Sequence, residues 1–187
     1  MKKQSFKSAM AFTLIVGSLT LSSCTKLGKN LQFTLPMQTG NVNLTIPVTN
    51  ASSGTLTFGP VANYYNVDSF IKASTANQLG VSNITSVKLT SCTITINNAT
   101  SANNFANFSS CSASFSSNTD TSPYTLDISN NPNTFSGTIN LPVDTSQNLS
   151  SYLGDQFNYS VSGALRSSIT IPLNCTISYA FNVVVQG

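Results

Sequence analysis

The sequence lacks most of the side chains on which enzymes and metal sites depend. Its 187 residues include no histidine, no tryptophan and no glutamate, and only 7% of them are charged, against roughly 25% in an average soluble protein. A catalytic base would have to be a lysine or one of five dispersed aspartates, and no Gly-x-Ser-x-Gly motif accompanies them. We therefore predict that the protein is not an enzyme and holds no cofactor and no metal ion.

Charge is scarce, and beyond the first residues it is balanced. Three of the eight basic residues, Lys2, Lys3 and Lys7, precede residue 9. From residue 24 onward five basic residues accompany five aspartates, so this part of the chain has no net charge. Binding a phosphate backbone requires lysines and arginines clustered on one surface. We therefore expect no nucleic acid among the partners.

Small polar residues make up much of the chain. Serine, threonine and asparagine account for 30, 23 and 22 residues, interleaved with valine, isoleucine, leucine and phenylalanine. Branched residues favour strands, whereas serine and asparagine suit turns and exposed faces. This composition is typical of an exported all-β protein.

The first 24 residues have the parts of an export signal. A basic start precedes an uncharged stretch whose apolar centre, residues 9–21, is shorter than the roughly 20 residues that cross a bilayer. The stretch ends in Leu21-Ser22-Ser23-Cys24, which resembles the lipobox of bacterial lipoproteins. The resemblance implies that the signal peptide, residues 1–23, is removed. It also implies that Cys24 becomes an N-terminus carrying fatty acyl groups such as palmitate, a lipid anchor that does not span the membrane.

In lipoproteins of gram-negative bacteria the residue after the cysteine helps to sort the protein, and an aspartate there favours the inner membrane. Thr25 stands at that position, which implies the outer membrane. Some groups export lipoproteins to the cell surface with an acidic cluster after the cysteine, but residues 25–30 contain two lysines and no acid. We expect the periplasmic face, with the cell surface as the alternative, and a tether over residues 24–30.

Alternating apolar residues predict strands through the rest of the chain. The clearest pattern covers residues 169–185, where nine apolar positions recur at a period of two. Pro172 cannot donate to a ladder, so we expect an edge, a bulge or a break there. A turn is expected at 37–41 and a bulge near 90–91. The other expected strands lie within residues 31–35, 42–48, 56–58, 87–96, 111–115, 124–128, 135–143 and 157–165.

About nine strands at regular spacing predict one all-β domain over residues 31–187, an antiparallel β-sandwich of the immunoglobulin type. Two short helices are expected to cover it. Asp68 can cap the first, which would end before Gly80, and Thr145 or Ser146 can cap the second.

Residues 135–185 also resemble the LEA14/WHy type of β-sandwich. The resemblance rests on a Pro-Val strand, a short leucine-rich helix and the run Phe157-Asn158-Tyr159-Ser160-Val161-Ser162-Gly163. Members of that family are associated with stress and desiccation and lack catalytic residues. The resemblance therefore implies a fold and no reaction.

Three cysteines remain once Cys24 is assigned to lipid, and each falls in the inward phase of its strand. Export permits disulfides. Cys92 and Cys111 would close a loop of about 20 residues and are the first candidate pair, and a pair that includes Cys175 is the second. The alternative is that all three are buried free thiols.

Binding functions stay open. Tyr64, Tyr65 and Phe105 are candidate platforms for a glycan or a lipid, or simply core and edge residues. Loops around Asp120 and Asp127 hold oxygen ligands but match no calcium motif. The favoured hypothesis is a non-catalytic envelope lipoprotein with a structural role or with an unidentified protein or glycan partner. The alternative is a glycan- or lipid-binding accessory lipoprotein of the outer membrane.

Overall fold

The computed structural model describes residues 31–187. The predicted signal peptide, Cys24 and the rest of the tether lie outside the described residues. Within residues 31–187, eight strands form two antiparallel sheets, which confirms the predicted all-β sandwich. No helix in this part of the chain is long and apolar enough to cross a membrane.

Each sheet has four strands. Sheet 1 has the order β1-β8-β3-β6 and sheet 2 the order β2-β7-β4-β5. Sheet 1 consists of β1 (Gln32–Ile46), β8 (Leu173–Gln186), β3 (Ile84–Ile96) and β6 (Thr138–Leu141). Sheet 2 consists of β2 (Thr55–Tyr64), β7 (Gln156–Leu165), β4 (Phe108–Ser117) and β5 (Tyr124–Ile128). The connections contain α1 (Val67–Ser74) and three short 3₁₀ turns at Val81–Asn83, Phe105–Asn107 and Ser150–Tyr152.

The sandwich has two distinct ends. We call the end at which β1 begins and β8 ends the N-terminal end. We call the opposite one the loop end. The N-terminal end contains the connections 65–83, 118–123 and 142–155, and the loop end contains 47–54, 97–107, 129–137 and 166–172.

β1 runs straight through the turn that the sequence predicts at residues 37–41. Its pairing with β8 shifts register between Gln38 and Asn41, and Thr39 is buried. Gly40 adopts the left-handed conformation at φ 81° that the irregularity requires. The bulge moves the apolar phase from odd to even residues, which looks like two strands in the sequence. The sandwich therefore has eight strands rather than nine.

Several local predictions are confirmed. β3 shifts register between Leu89 and Ser91, as the change of phase indicates. β8 begins only after Pro172, and Ile169 forms an isolated bridge with Thr49. The proline therefore marks a break, one of the three outcomes expected for it.

The helix predictions were only partly right. α1 begins after Asn66, whose side chain accepts a hydrogen bond of 2.8 Å from the Ser69 amide, rather than at Asp68. The second predicted helix, capped by Thr145 or Ser146, is only the 3₁₀ turn Ser150–Tyr152. A capping residue followed by three apolar positions does not supply enough turns to sustain a helix.

The free edges of β1 and β2 are tied together along one side of the sandwich. The side-chain amide of Asn63 donates to the backbone carbonyl of Thr39 at 3.0 Å. Both strands are irregular nearby, since β2 shifts register between Phe58 and Val61. Bulges of this kind blunt sheet edges against pairing with other chains.

Candidate functional site

A network of buried asparagine side chains braces the loop end. At its centre, Asn107 donates from Nδ2 to the Ala102 carbonyl at 3.1 Å, to Ser167 Oγ at 2.9 Å and to the Ser168 carbonyl at 2.9 Å. Its Oδ1 accepts from the Asn104 amide at 2.8 Å. One side chain thus joins the 97–107 loop to the 166–172 loop.

A second buried asparagine extends this network to the 129–137 loop. Asn131 Nδ2 donates to the carbonyls of Phe105 at 2.7 Å and Phe108 at 3.0 Å. Arg166 donates to the Asn131 carbonyl at 2.6 Å and to the Ala106 carbonyl at 2.9 Å. Three of the four connections at this end are therefore fixed to one another through buried hydrogen bonds, which are stronger in a low-dielectric interior than in water.

The loop end presents a surface that is nearly free of charge. Arg166 is the one charged residue in its four connections, and its guanidinium is bonded to backbone carbonyls. Two large apolar side chains lie exposed there, Val48 at 49% and Phe135 at 64%. Phe135 belongs to the loop before β6, not to the predicted strand 135–143. A fixed, uncharged surface with exposed apolar side chains suits a protein partner better than an ionic ligand.

The outer face of sheet 2 carries an open groove of about 310 Å³ whose lining combines hydroxyl groups with a larger share of apolar surface. Ser112 and Ser162 meet across β4 and β7 with their Oγ atoms 2.6 Å apart, and Asp127 supplies a carboxylate. The groove has no aromatic side chain in its lining. The groove thus offers hydrogen bonds from its hydroxyl groups and carboxylate beside apolar surface, with no aromatic platform.

The aromatic residues that the sequence singled out do not form one site. Tyr64 ends β2 on the N-terminal side and is 73% exposed, and Tyr65 packs against Phe70 with ring centroids 6.1 Å apart. Phe105 is buried at the loop end, with its ring centroid 6.4 Å from that of Phe108. The two tyrosines and Phe105 are therefore at opposite ends of the sandwich.

Neither of the two candidate disulfides forms, and the alternative of three buried free thiols holds. Cys92, Cys111 and Cys175 are free and buried. Cys92 lies on β3 of sheet 1 and Cys111 on β4 of sheet 2, so strands that are consecutive in the chain belong to different layers. Cys111 and Cys175 line one apolar cavity of about 10 Å³ between the sheets, but they too are unbonded. Burial raises the pKa of all three thiols to about 12, which leaves them chemically inert.

Residues 31–187 contain few side chains that could form a catalytic or metal-binding site. No group of three histidine, cysteine or acidic side chains that could hold a metal ion occurs in this range. A Ser-x-x-Lys spacing does occur on α1, at Ser69 and Lys72, and the sequence reasoning missed it. Lys72 forms an ion pair with Asp68 at 2.6 Å on the exposed surface, away from any enclosed cleft.

Comparisons with known proteins add little. No family model and no curated protein matches the chain. A solved structure titled Desmodium yellow mottle tymovirus aligns with 90% of this chain and 95% of its own at 13% identity, with a TM-score of 0.30. A TM-score this low carries no argument about fold or function. The resemblances to bacterial lipoproteins and to the LEA14/WHy sandwich therefore stay predictions.

Proposed function

We propose that the protein is a non-catalytic envelope lipoprotein, anchored through Cys24 in the outer membrane of a gram-negative cell, that presents a partner-binding surface at the loop end. The observation that carries the proposal is the position of Leu31, which lies at the N-terminal end and hydrogen-bonds to Gly187 at 3.1 Å. A lipid at Cys24 would attach the sandwich by this end. The loop end would then face away from the membrane.

The construction of the loop end supports a binding role. Loops carry binding residues when a rigid scaffold positions them. Here the asparagine network around Asn107 and Asn131 fixes the loops before any partner arrives, so that little conformational entropy would be lost on binding. The near absence of charge favours a protein partner or an uncharged glycan. The glycan alternative has less support, because Tyr64, Tyr65 and Phe105 do not converge.

Fatty-acid labelling in cells tests the anchor. The full chain should incorporate an alkyne fatty acid and sediment with membranes, whereas Cys24→Ser should do neither. Ser22→Ala keeps a small residue in the lipobox and serves as the matched control, which should stay labelled. Membrane association of Cys24→Ser, or an unlabelled full chain, would contradict the proposal.

Site-specific photocrosslinking tests the binding surface. A photoreactive side chain at Phe135 of the anchored protein should give a discrete crosslinked product in cells. The same group at Ser114, on the outer face of sheet 2, is the control and should give none. Equal products at both positions, or none at Phe135, would argue against a partner at the loop end.

A further inference from the structure

Sheet 1 projects beyond sheet 2 at the N-terminal end. The hydrogen bond of 3.0 Å between Asn63 of β2 and Thr39 of β1 shows that these two residues lie at the same height along the sandwich. β2 ends one residue past Asn63, whereas β1 starts seven residues before Thr39. At about 3.3 Å per residue, sheet 1 reaches roughly 20 Å further.

The projecting edge ends in apolar residues. Phe33 pairs with Val185, and Val185 also pairs with Ile84, so the three form one row across β1, β8 and β3. Val185 is fully buried, whereas Phe33 is 41% exposed, because the sandwich ends beside it. Leu31 lies two residues further out, at 40% exposure, and its carbonyl accepts from the Gly187 amide.

A third apolar residue joins this edge from the 3₁₀ turn that leads into β3. Val81 precedes Ile84 by three residues and is 45% exposed. Leu31, Phe33 and Val81 are three of the six large apolar side chains that are exposed within residues 31–187. We call these three residues the apolar tip.

The apolar tip carries no net charge. Asp68 pairs with Lys72 at 2.6 Å, and its Oδ1 accepts from the Val81 amide at 3.0 Å. Asp120 and Asp155 lie around the end of sheet 2, where the Ser117 amide donates to the Asp120 carbonyl and the Tyr65 amide to the Asp155 carbonyl. Asp144, in the 142–155 connection, accepts from the Ser146 hydroxyl. Contact with an apolar medium would therefore bury no unpaired charge. This combination suits a lipid surface better than an ionic ligand.

The predicted anchor would hold the apolar tip close to the bilayer. Six residues lie between Cys24 and Leu31, so the two Cα atoms are at most about 25 Å apart. A short tether raises the effective concentration of its ends to the millimolar range, so that a weak contact is enough. We propose that the apolar tip docks onto the lipid surface that carries the anchor, an inference that rests on the proposed function.

A single tryptophan can report this contact, because the chain contains none. Phe33→Trp places the reporter in the apolar tip, and Phe135→Trp at the loop end is the matched control. Both sheets and their core lie within residues 31–187, so a chain that begins at Cys24 is suitable. Without the signal peptide the Cys24 thiol of this chain stays free, and its three other thiols are buried, so a maleimide lipid couples at Cys24.

The coupled protein is placed on vesicles of phosphatidylethanolamine and phosphatidylglycerol with brominated or unbrominated acyl chains. On either kind of vesicle the emission of Phe33→Trp should shift to shorter wavelength than that of the protein without vesicles. Brominated acyl chains should in addition quench its fluorescence strongly relative to unbrominated chains. The fluorescence of Phe135→Trp should change in neither way. Adding Val81→Asp to Phe33→Trp should reduce the quenching.

Two results would overturn lipid docking. The first is quenching of Phe33→Trp no greater than that of Phe135→Trp. The second is a shift of Phe33→Trp emission that grows with the concentration of uncoupled, lipid-free protein, which would make a second copy the occupant of the apolar tip. Neither result bears on the fatty-acid labelling of Cys24 in cells, so the failure of one proposal is distinguishable from the failure of the other.

Discussion

The rings of Tyr159 and Tyr179 stack across the core with their centroids 5.2 Å apart and their planes at 29°. Tyr159 lies on β7 of sheet 2 and Tyr179 on β8 of sheet 1, and both are fully buried. Neither hydroxyl has a hydrogen-bond partner in the described part of the chain. Burial raises the pKa of Tyr159 to about 12, an effect that the nearby Thr39 hydroxyl offsets only in part. The middle of the core thus contains polar groups whose desolvation is not compensated.

Tyr159→Phe should therefore raise the free energy of unfolding, by about 1 kcal/mol, because it removes an unpaired buried hydroxyl and keeps the ring. Tyr179→Phe should behave alike, and Tyr64→Phe, at an exposed position, should leave the stability unchanged. Urea titrations measure all three. A loss of about 1 kcal/mol in either core variant would mean that its hydroxyl is hydrogen-bonded.

The asparagine network at the loop end should depend on its central residue. Asn107→Ala leaves the Ala102 and Ser168 carbonyls and the Asn104 amide without their partners, which should lower the free energy of unfolding by about 2–3 kcal/mol. Asn133→Ala in the exposed 129–137 loop is the control and should stay within roughly 0.5 kcal/mol. Similar urea midpoints for the two variants would show that the network does not hold the loops.

The free energy of unfolding should be lower at alkaline pH than at neutral pH. The buried thiols of Cys92, Cys111 and Cys175 have pKa values of about 12 in the folded protein against an ordinary 9.0. Between these values the unfolded chain releases protons that the folded chain keeps, so stability falls as pH rises from 9 to 12. With no histidine to titrate, stability should be nearly flat from about pH 6 to 7.5, below the range in which the thiols of the unfolded chain ionise. A sloping urea midpoint within that plateau would contradict this assignment.

The period-two pattern was enough to predict an all-β sandwich and the buried face of most strands, because a strand with one buried face displays that face directly in the sequence. It predicted the bulge at Leu89 and Ser91 and some interruption at Pro172, where a phase change and a missing amide are visible, although a break was only one of three outcomes left open for the proline. It misread the bulge at Thr39 as a turn. A glycine flanked by polar residues is common to both, and only the pairing of β1 with β8 distinguishes them.

The candidate site could not be predicted in the same way. Asn104, Asn107 and Asn131 resemble ordinary turn residues in the sequence, since their burial depends on connections that are far apart along the chain. The candidate disulfide between Cys92 and Cys111 was wrong for a related reason. An inward phase indicates that Cys92 and Cys111 are buried, but it does not say which side chain faces each of them across the core: Cys111 shares a cavity with Cys175, and Cys92 lies beside Tyr179.

The final strand allows the sharpest test of the sandwich itself. Phe181 is buried, and its ring meets that of Phe115 edge to face with centroids 5.6 Å apart. Ser178 points to the other face of sheet 1 and donates to Asn41 Oδ1 at 2.7 Å. Phe181→Ala should lower the free energy of unfolding by about 3–5 kcal/mol through lost burial and a residual cavity. Ser178→Ala should cost no more than roughly 0.5 kcal/mol, because its hydrogen bond is exposed to water.

These magnitudes separate the two faces of β8 clearly. A domain of this size has a total stability of about 5–15 kcal/mol, so Phe181→Ala alone should shift the urea midpoint far towards zero denaturant. Ser178→Ala should leave the midpoint almost unchanged. The slope of the unfolding free energy against urea concentration should be the same for both variants if the unfolded chain is unaffected. If the two variants had equal midpoints, Phe181 could not lie between the sheets, and the assignment of inward and outward faces on β8 would be wrong.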